Sequence, residues 1–405
     1  MMIADRPNNP PETVRRIEPA RLENPPETVA DLIAELSATS AKLGASLHPQ
    51  TAAHLADLVR VMNTYYSNLI EGHDTRPRDI ERALAGQFDD DQRRRNLQIE
   101  AAAHVRVQQE IDRMASAGEL PEPASADFLR WLHREFYRDA PEEMLRVSGE
   151  GRGLMMTPGQ WRSSGEEDVA VGRHIPPSSR HVGDFMQYFE DRYRFDRIGK
   201  AGRIIALAAA HHRLNYIHPF PDGNGRVSRL MSHAMAWKAD IAAHGLWSVS
   251  RGLARGIKSR TEYKEMMDLA DTQRQGDLDG RGNLSQQALI DFIVWFLQVA
   301  IDQVQFMSSL FDLENLTERL HSLVAQRKAL RPEAGRILDE IVVRGEIERG
   351  EASRITGLPE RTARRVLNDL VRECVVASTT PKGPVSLRFP VESLETLFPR
   401  LYPHT

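Results

Sequence analysis

HPFPDGNGRVSR, residues 218–229, sets one histidine, one acid, two glycines around an asparagine and two arginines within a single short loop. It follows directly on a run of helix-forming apolar residues that ends at Ile217. Pro219, Pro221, Gly223 and Gly225 stop that helix and leave a permissive backbone. Beyond Gly225 the sequence is helix-compatible again, so Gly223, Asn224 and Gly225 stand at a helix N-terminus. Amides there, with no bulky side chains in the way, point at an anion that the helix dipole favours. Arg226 and Arg229, three apart on one face of the first turns, add guanidinium forks for phosphate oxygens. Asp222 can hold a divalent cation of the kind that accompanies polyphosphates. His218 is the one group here with an ordinary pKa near neutrality, hence the general-base candidate. Singly, each part has a plain explanation as a helix-end histidine or a turn before a solvated helix. Their conjunction in one loop points to a nucleotide's phosphates.

Working outward from the loop, helical periodicity covers residues 182–195 and 202–217 before it and 227–241 after it. Further upstream, two helices are expected over 28–66, one over 98–115 and one over 126–137. Residues 1–28, rich in Pro, Asn and Glu, read as lacking fixed structure or wrapping a neighbour. Their hexapeptide NPPETV recurs at 9–14 and 24–29 and marks two capped helix starts at most. The segment MMTPGQWRSSGEEDVAVGRHIPPSS, residues 155–179, has Gly, Pro and Ser around short β-prone pieces and is expected to form an extended hairpin or flap closed by Pro176 and Pro177. Downstream, loops at 271–284 precede an apolar helix at 285–307. After a polar helical stretch ending near Arg331, short helices and two β-prone runs, 374–378 and 385–389, form a separate small domain.

With 405 residues, the chain has room for two or three domains, and 41% hydrophobic with 27% charged residues is an ordinary globular composition. A net charge of −4 excludes a protein-wide attraction to nucleic acid or anionic lipid, although a local basic face is compatible with it. The single cysteine, Cys374, rules out an intramolecular disulfide and a multi-cysteine zinc site. That suits a reducing cytoplasm, and a cytoplasmic location is expected. The N-terminal MMIADRPNNPPETV has no apolar core of a secretory signal. The most apolar window, 288–301, is interrupted by Asp291 and Gln298 and falls short of the ~20 residues of a bilayer span. It reads as a buried core helix, and no membrane partner is expected.

Two further patterns are set aside. GDLDGRGNLSQQA, from Gly276, suggests a calcium loop, but its fifth and twelfth ligand positions are Arg281 and Ala288. His211 and His212 could join His218 around zinc, but neighbours on a helix diverge by about 100°. One reads as buried and one as supporting a loop.

The opening stretch resembles the signature of the Fic (filamentation induced by cAMP) domain, HxFx(D/E)GNGRxxR, at every fixed position. The likeness extends over roughly 98–302, through PGQWR, HIPP and AHHRLNYI. It implies a mainly α fold, a Fic-type helical bundle with a short β-hairpin flap. The family's best-described members transfer AMP from ATP to a protein hydroxyl, with diphosphate leaving. By resemblance, then, His218 would deprotonate the attacking Ser, Thr or Tyr, and Phe220 would anchor the loop. Asp222 would bind Mg²⁺ between the α- and β-phosphates, and Gly223, Asn224 and Gly225 would form the anion hole. Arg226 would contact the phosphates and Arg229 hold the γ-phosphate. The flap at about 161–175 would pin the target segment by main-chain pairing.

SNLIEG, residues 67–72, matches the family's inhibitory pattern (S/T)xxxE(G/N). Ser67 and Glu71 are i, i+4 on one helix face, with Gly72 as a C-terminal stop. The resemblance implies that Glu71 pairs with Arg229 and so brakes the enzyme. In some relatives such a glutamate also supports removal of AMP. At the other end, GEASRITGLPERTARRVLNDLVRECVVASTTPKGPVSLRFP, from Gly350, resembles a winged helix-turn-helix, a small α+β domain. Arg361, Arg364, Arg365 and Arg372 could meet DNA, while Glu360, Asp369 and Glu373 nearly balance them. The module could equally dock protein or a second copy of the chain.

The expected organisation is thus a flexible segment 1–27, a helical region 28–97 with the inhibitory motif, a catalytic domain 98–310, a connecting helix 311–330 and a winged-helix domain 331–405. The leading functional expectation is an autoinhibited protein adenylyltransferase using ATP and Mg²⁺. It would act on an unnamed target hydroxyl, or on the chain itself through tyrosines such as Tyr65, Tyr188 and Tyr193. The rivals are a Fic enzyme with another nucleotide or moiety, such as phosphocholine, and a nucleotide-sensing DNA-binding regulator.

Overall fold

Apolar residues at three- and four-residue spacing dominate the chain, and helices that bury those stripes against one another follow. A computed structural model describes residues 12–149 and 152–402. In order come α1 (Glu27–Ala45), α2 (Pro49–Ile70), α3 (Pro77–Leu84), α4 (Gln92–Ser116), α5 (Ala126–Phe136) and α6 (Glu142–Leu145), then a hairpin of β1 (Arg146–Gly149) and β2 (Arg152–Met155). The region of the 218–229 loop follows as α7 (Val182–Tyr193), α8 (Lys200–Ile217) and α9 (Asn224–Lys238), then α10 (Ser250–Arg255), α11 (Glu262–Ala270), α12 (Gln286–Phe311) and α13 (Leu313–Gln326). Last come α14 (Ala334–Arg344), β3 (Glu346–Ile347), α15 (Ala352–Thr356), α16 (Glu360–Arg372), β4 (Val376–Ala377), β5 (Val385–Leu387) and α17 (Leu394–Leu397). The fold is mainly α with small antiparallel sheets, as expected.

The helices stop and start where the sequence supplies caps. Ser125, Ser285 and Asp312 side chains accept from backbone amides three residues on, opening α5, α12 and α13. At the centre, α8 packs on α7, α9 and α12, while α4 bridges α2, α5 and α9. The apolar window at 288–301 belongs to a 26-residue helix, α12, longer than that window implied and by length and composition sufficient to cross a bilayer. Leu289, Phe292, Ile293, Phe296 and Val304 on it are fully buried, packed against α1, α8, α10 and α11. It is the core helix expected.

Three expectations need correction. Residues 12–26 are fixed on the bundle: Ile17 and Ala20 are fully buried. The Arg213 side chain donates to Ile17 and Pro19 carbonyls at 3.0 Å, and Tyr193 donates to the Ala20 carbonyl. Only Val14–Ile17 is helical there, a 3₁₀ turn, and residues 1–11 lie outside the described residues. Next, the β-ladder pairs Arg146 with Met155 and Val147 with Leu154, upstream of the expected flap. Residues 161–175 hold instead a 3₁₀ turn at Gly165–Glu167 and one antiparallel bridge, Val171 to His174. Finally, the expected division at residues 97/98 falls inside α4, which the core of α2 and α9 keeps continuous.

The C-terminal elements build a three-stranded antiparallel sheet, order β3-β5-β4, with α15 and α16 joined at Gly357 in the left-handed region. They are not separate from the bundle. Thr51 on α2 donates to the Val342 carbonyl at 3.1 Å, and Tyr66 on α2 donates to the Leu401 carbonyl at 2.9 Å.

Candidate active site

α8 ends at His218, whose backbone is left-handed at φ 53°, ψ 58°, a conformation that costs a non-glycine residue roughly 1–2 kcal/mol. Arg162 holds it there. This buried guanidinium donates to the carbonyls of His218 at 2.7 Å, Pro177 at 3.0 Å and Ile217 at 3.3 Å, and to Ser179 Oγ at 2.8 Å. The Arg162 amide adds a bond to the Pro219 carbonyl at 2.9 Å. Burial lowers the Arg162 pKa to about 10, so it is charged at neutral pH. Arg162 was not among the expected site residues, although it lies in the PGQWR segment that carries part of the resemblance.

The His218 imidazole has its pKa lowered to about 3, by burial first and by Arg162 second, and is therefore neutral. Its Nδ1 lies 3.4 Å from the Asn215 carbonyl, which can only accept, so the proton sits on Nδ1 and the Nε2 lone pair is free. Phe220 is fully buried, stacked on His133 with centroids 3.9 Å apart and beside Trp161 at 4.6 Å. His133 Nδ1 accepts from the Gly159 amide at 2.8 Å, so its Nε2–H donates to the Asp222 carbonyl at 3.2 Å. The Asn224 side chain closes the loop on itself, accepting from Phe220 N at 2.9 Å and donating to Phe220 O at 2.8 Å.

Gly223 and Gly225 are required by space as well as by backbone. Gly223 sits at φ +81°, and a Cβ there would stand 2.8 Å from Tyr137 Oη. A Cβ on Gly225 would meet Glu71 Oε1 at 2.7 Å and Arg229 Nη1 at 3.0 Å. The glutamate of the inhibitory motif thus reaches the very helix N-terminus expected to take phosphate. Arg229 Nη2 donates to Glu71 Oε1 at 2.5 Å, its Nε to Ser67 Oγ at 2.8 Å and its Nη2 to the Ser67 carbonyl at 3.3 Å. Burial opposes ionisation of Glu71, but the Arg229 and Arg226 guanidiniums outweigh it and hold the carboxyl at about 2. Gly72, at φ +81°, ends α2 behind it.

Arg226 differs from the expectation. It is buried and committed to Glu100 on α4 at 2.8 Å, with His73 Nδ1 2.9 Å from the other Glu100 oxygen. Glu100, His73, His133 and Tyr137 come from distant elements and carried no signal beside the loop. Asp222 is exposed, with Oδ1 accepting from the Gly223 amide at 2.6 Å. Among the described residues no group of three or more His, Cys, Asp or Glu could hold a metal ion. His211 and His212 are both fully buried: the first lies 2.9 Å from Ser232 Oγ and from Tyr263 Oη, the second 3.0 Å from Asp271. Asp271 also meets His174 at 2.9 Å, so His212 supports the 161–175 loop from below.

Of the three tyrosines named for self-modification, Tyr65 and Tyr193 are buried, and the Tyr188 hydroxyl donates to Glu18 at 2.5 Å. On α16, Arg361 and Arg365 are exposed and without an ion pair among the described residues, whereas Arg364 pairs with Glu360 at 2.5 Å.

Residues 123–236, which include the whole 218–229 loop but not Ser67–Gly72, match the sequence profile of the Fic/DOC family. The chain is 39% identical over 71 residues to the protein adenylyltransferase Fic of Drosophila willistoni and 41% identical over 71 residues to that of Drosophila erecta. Each match covers 18% of this chain and 14% of the relative. A Fic family protein from Desulfovibrio desulfuricans G20 superposes with a TM-score of 0.53 at 16% identity, over 91% of this chain and 98% of that one. A Fic domain containing signaling protein from Bacteroides thetaiotaomicron VPI-5482 does so with a TM-score of 0.50 at 18% identity, over 68% and 95%. With its signature loop intact between α8 and α9, this chain carries a Fic domain.

Proposed function

We propose that the protein is an adenylyltransferase that moves AMP from ATP to a hydroxyl of a target protein and is held in check by Glu71. The observation that carries this reading is that an anion already sits in the cradle: the Glu71 carboxylate lies against Gly225 and on Arg229. A site that seats a carboxylate on a guanidinium beside a helix N-terminus seats a phosphate by the same forces. In this mechanism the α9 N-terminus and Arg229 bind the triphosphate once Glu71 withdraws. His218 Nε2 takes the proton of the attacking hydroxyl while oxygen attacks the α-phosphorus and diphosphate leaves. Asp222 is the exposed carboxylate placed to hold a Mg²⁺ arriving with the nucleotide, which would neutralise charge on the phosphates. The polyphosphate charge raises the low His218 pKa toward a useful base strength.

The test is incorporation of labelled AMP by the Glu71→Gly protein, with Glu71→Gly/His218→Ala as control and GTP, CTP, UTP and CDP-choline as competing donors. Transfer from ATP that needs His218 supports the reading. Preferential transfer from another donor replaces it with the other-moiety enzyme. No transfer from any donor leaves the nucleotide-sensing regulator.

A second role, DNA or protein docking, is favoured by one feature of the winged-helix-like module. Arg361 and Arg365, four apart on the outer face of α16, are exposed and have no acidic partner among the described residues. Loss of a gel shift on Arg361→Gln/Arg365→Gln is the expected result for DNA, and an unchanged shift removes α16 as the contact.

A further inference from the structure

Away from the cradle, on the opposite side of α2's last turn, lies a cavity of about 320 Å³ lined by Tyr66, Leu69, Arg255, Arg260, Arg400 and Tyr402. With 3.6 residues per turn, Tyr66 and Leu69 share one helix face, whereas Ser67 and Glu71 share the other. Arg255, Arg260 and Arg400 are exposed. None makes a side-chain ion pair or hydrogen bond among the described residues. A fourth guanidinium, Arg251, is buried beneath them over the Phe306 ring at 3.5 Å. It donates to the Arg400 carbonyl at 3.3 Å and to Gln303 at 3.1 Å, and its Nε is buried without a partner. The buried Tyr402 hydroxyl likewise has none among the described residues. The carboxylates that act on this group, Glu81 on Tyr402 and Asp302 on Arg251, form no ion pair with any of the four arginines. In a chain with net charge −4, three guanidiniums without an acidic partner among the described residues line one concavity and favour an anion there.

We infer that this cavity is a second anion site, for a compact polyphosphate. Its size sits at the low end of small-molecule pockets, and three convergent forks match several phosphate oxygens at once. The site is formed with Glu71 already on Arg229. An occupant bridging α10, the tail at Arg400–Tyr402 and the outer face of α2 therefore stabilises the braked arrangement, because a ligand favours the state that builds its site. This goes beyond the transferase reading, and the measurements below do not use that activity.

Tripolyphosphate is titrated calorimetrically into the full chain, with orthophosphate as comparator. Wild type binds tripolyphosphate at one site, and Arg255→Gln/Arg260→Gln/Arg400→Gln weakens it about tenfold or more. Those residues are exposed, and an unchanged melting temperature verifies folding. Arg229→Gln still binds, at most a few-fold more weakly, because it loosens the coupled braked arrangement without touching the site. Amides of residues 67–72 exchange more slowly with tripolyphosphate present. Diphosphate and adenosine diphosphate, run in parallel, identify whether inorganic or nucleoside-linked phosphate binds better, either through the same arginines. The site is overturned if wild type does not bind, if the triple variant binds equally well, or if Arg229→Gln removes binding. Equal affinity for orthophosphate overturns the polyphosphate class, and unchanged amide exchange overturns the link to α2.

Discussion

At the scale of single residues, the proposed phosphate cradle and the glutamate proposed to brake it share one point of contact. Gly225 leaves the space that the Glu71 carboxylate fills, since a Cβ there would lie 2.7 Å from Oε1. The same Cβ would project into the seat a phosphate needs. Gly225→Ala is therefore expected to dislodge Glu71 without activating the enzyme, whereas Glu71→Gly activates it. A charged hydrogen bond of roughly 1.5–3 kcal/mol, at about 1.4 kcal/mol per tenfold, puts the Glu71→Gly gain at about ten- to a hundredfold in AMP incorporation. A Gly225→Ala protein as active as Glu71→Gly would contradict this geometry.

The pH dependence of the proposed brake follows from the same pair. Glu71 is held at about 2, below its ordinary 4.5, so its ionised contact is complete above the ordinary value and is lost only as pH falls toward 2. The activity ratio of Glu71→Gly to wild type should then be flat between about pH 5 and 9. A ratio that collapses near pH 6 would mean that another group holds Arg229.

At the scale of elements, what the chain discloses locally differs from what it hides. That His218, Asp222, Gly223 and Gly225 lie together between two helices was legible because one loop contains them all. The i, i+4 spacing put Ser67 and Glu71 on one helix face, but the contact of Glu71 with Arg229 was implied only by the family resemblance. The partner of Arg226 could not be read, because Glu100 stands on α4 with no pattern marking it as inward-facing and acidic by design. The segment at 12–26 misled for a similar reason: its Pro-rich composition lacks a helix, yet Arg213 and Tyr193 supply the hydrogen bonds that it cannot make with itself. The 161–175 loop owes its shape to Arg162, which donates to three carbonyls and a hydroxyl across Ile217, His218, Pro177 and Ser179. Replacing it by Met leaves those acceptors buried without donors, at about 1–3 kcal/mol each. Arg162→Met is expected to lower the denaturant midpoint and to abolish transfer even in a Glu71→Gly background, because His218 loses its left-handed turn. Full transfer activity in that double variant would show that the turn stands without Arg162.

At the scale of the whole molecule, the C-terminal module and α2 share a joint, and its charges are not neutral toward pH. Glu81 on α3 is pushed up to about 7, by burial and then by Glu392 in the turn Val391–Ser393. The folded state thus binds a proton that the unfolded chain releases near 4.5. Stability from this group is present below 4.5 and is lost as pH rises through 7. His54, which faces Arg388 across the same joint, has its pKa lowered by burial and by that arginine, and so acts in the opposite direction, its contribution growing as pH rises toward its ordinary 6.5 and complete above it. The two partly cancel in the wild type, which makes the difference between proteins the informative quantity. Glu81→Gln keeps a neutral hydrogen-bonding side chain and removes only the charge. Its urea midpoint should equal the wild-type value near pH 5 and exceed it near pH 8, with the gap opening between those values. A gap of the same size at both pH values would mean that packing, and not repulsion between Glu81 and Glu392, sets the strength of the joint.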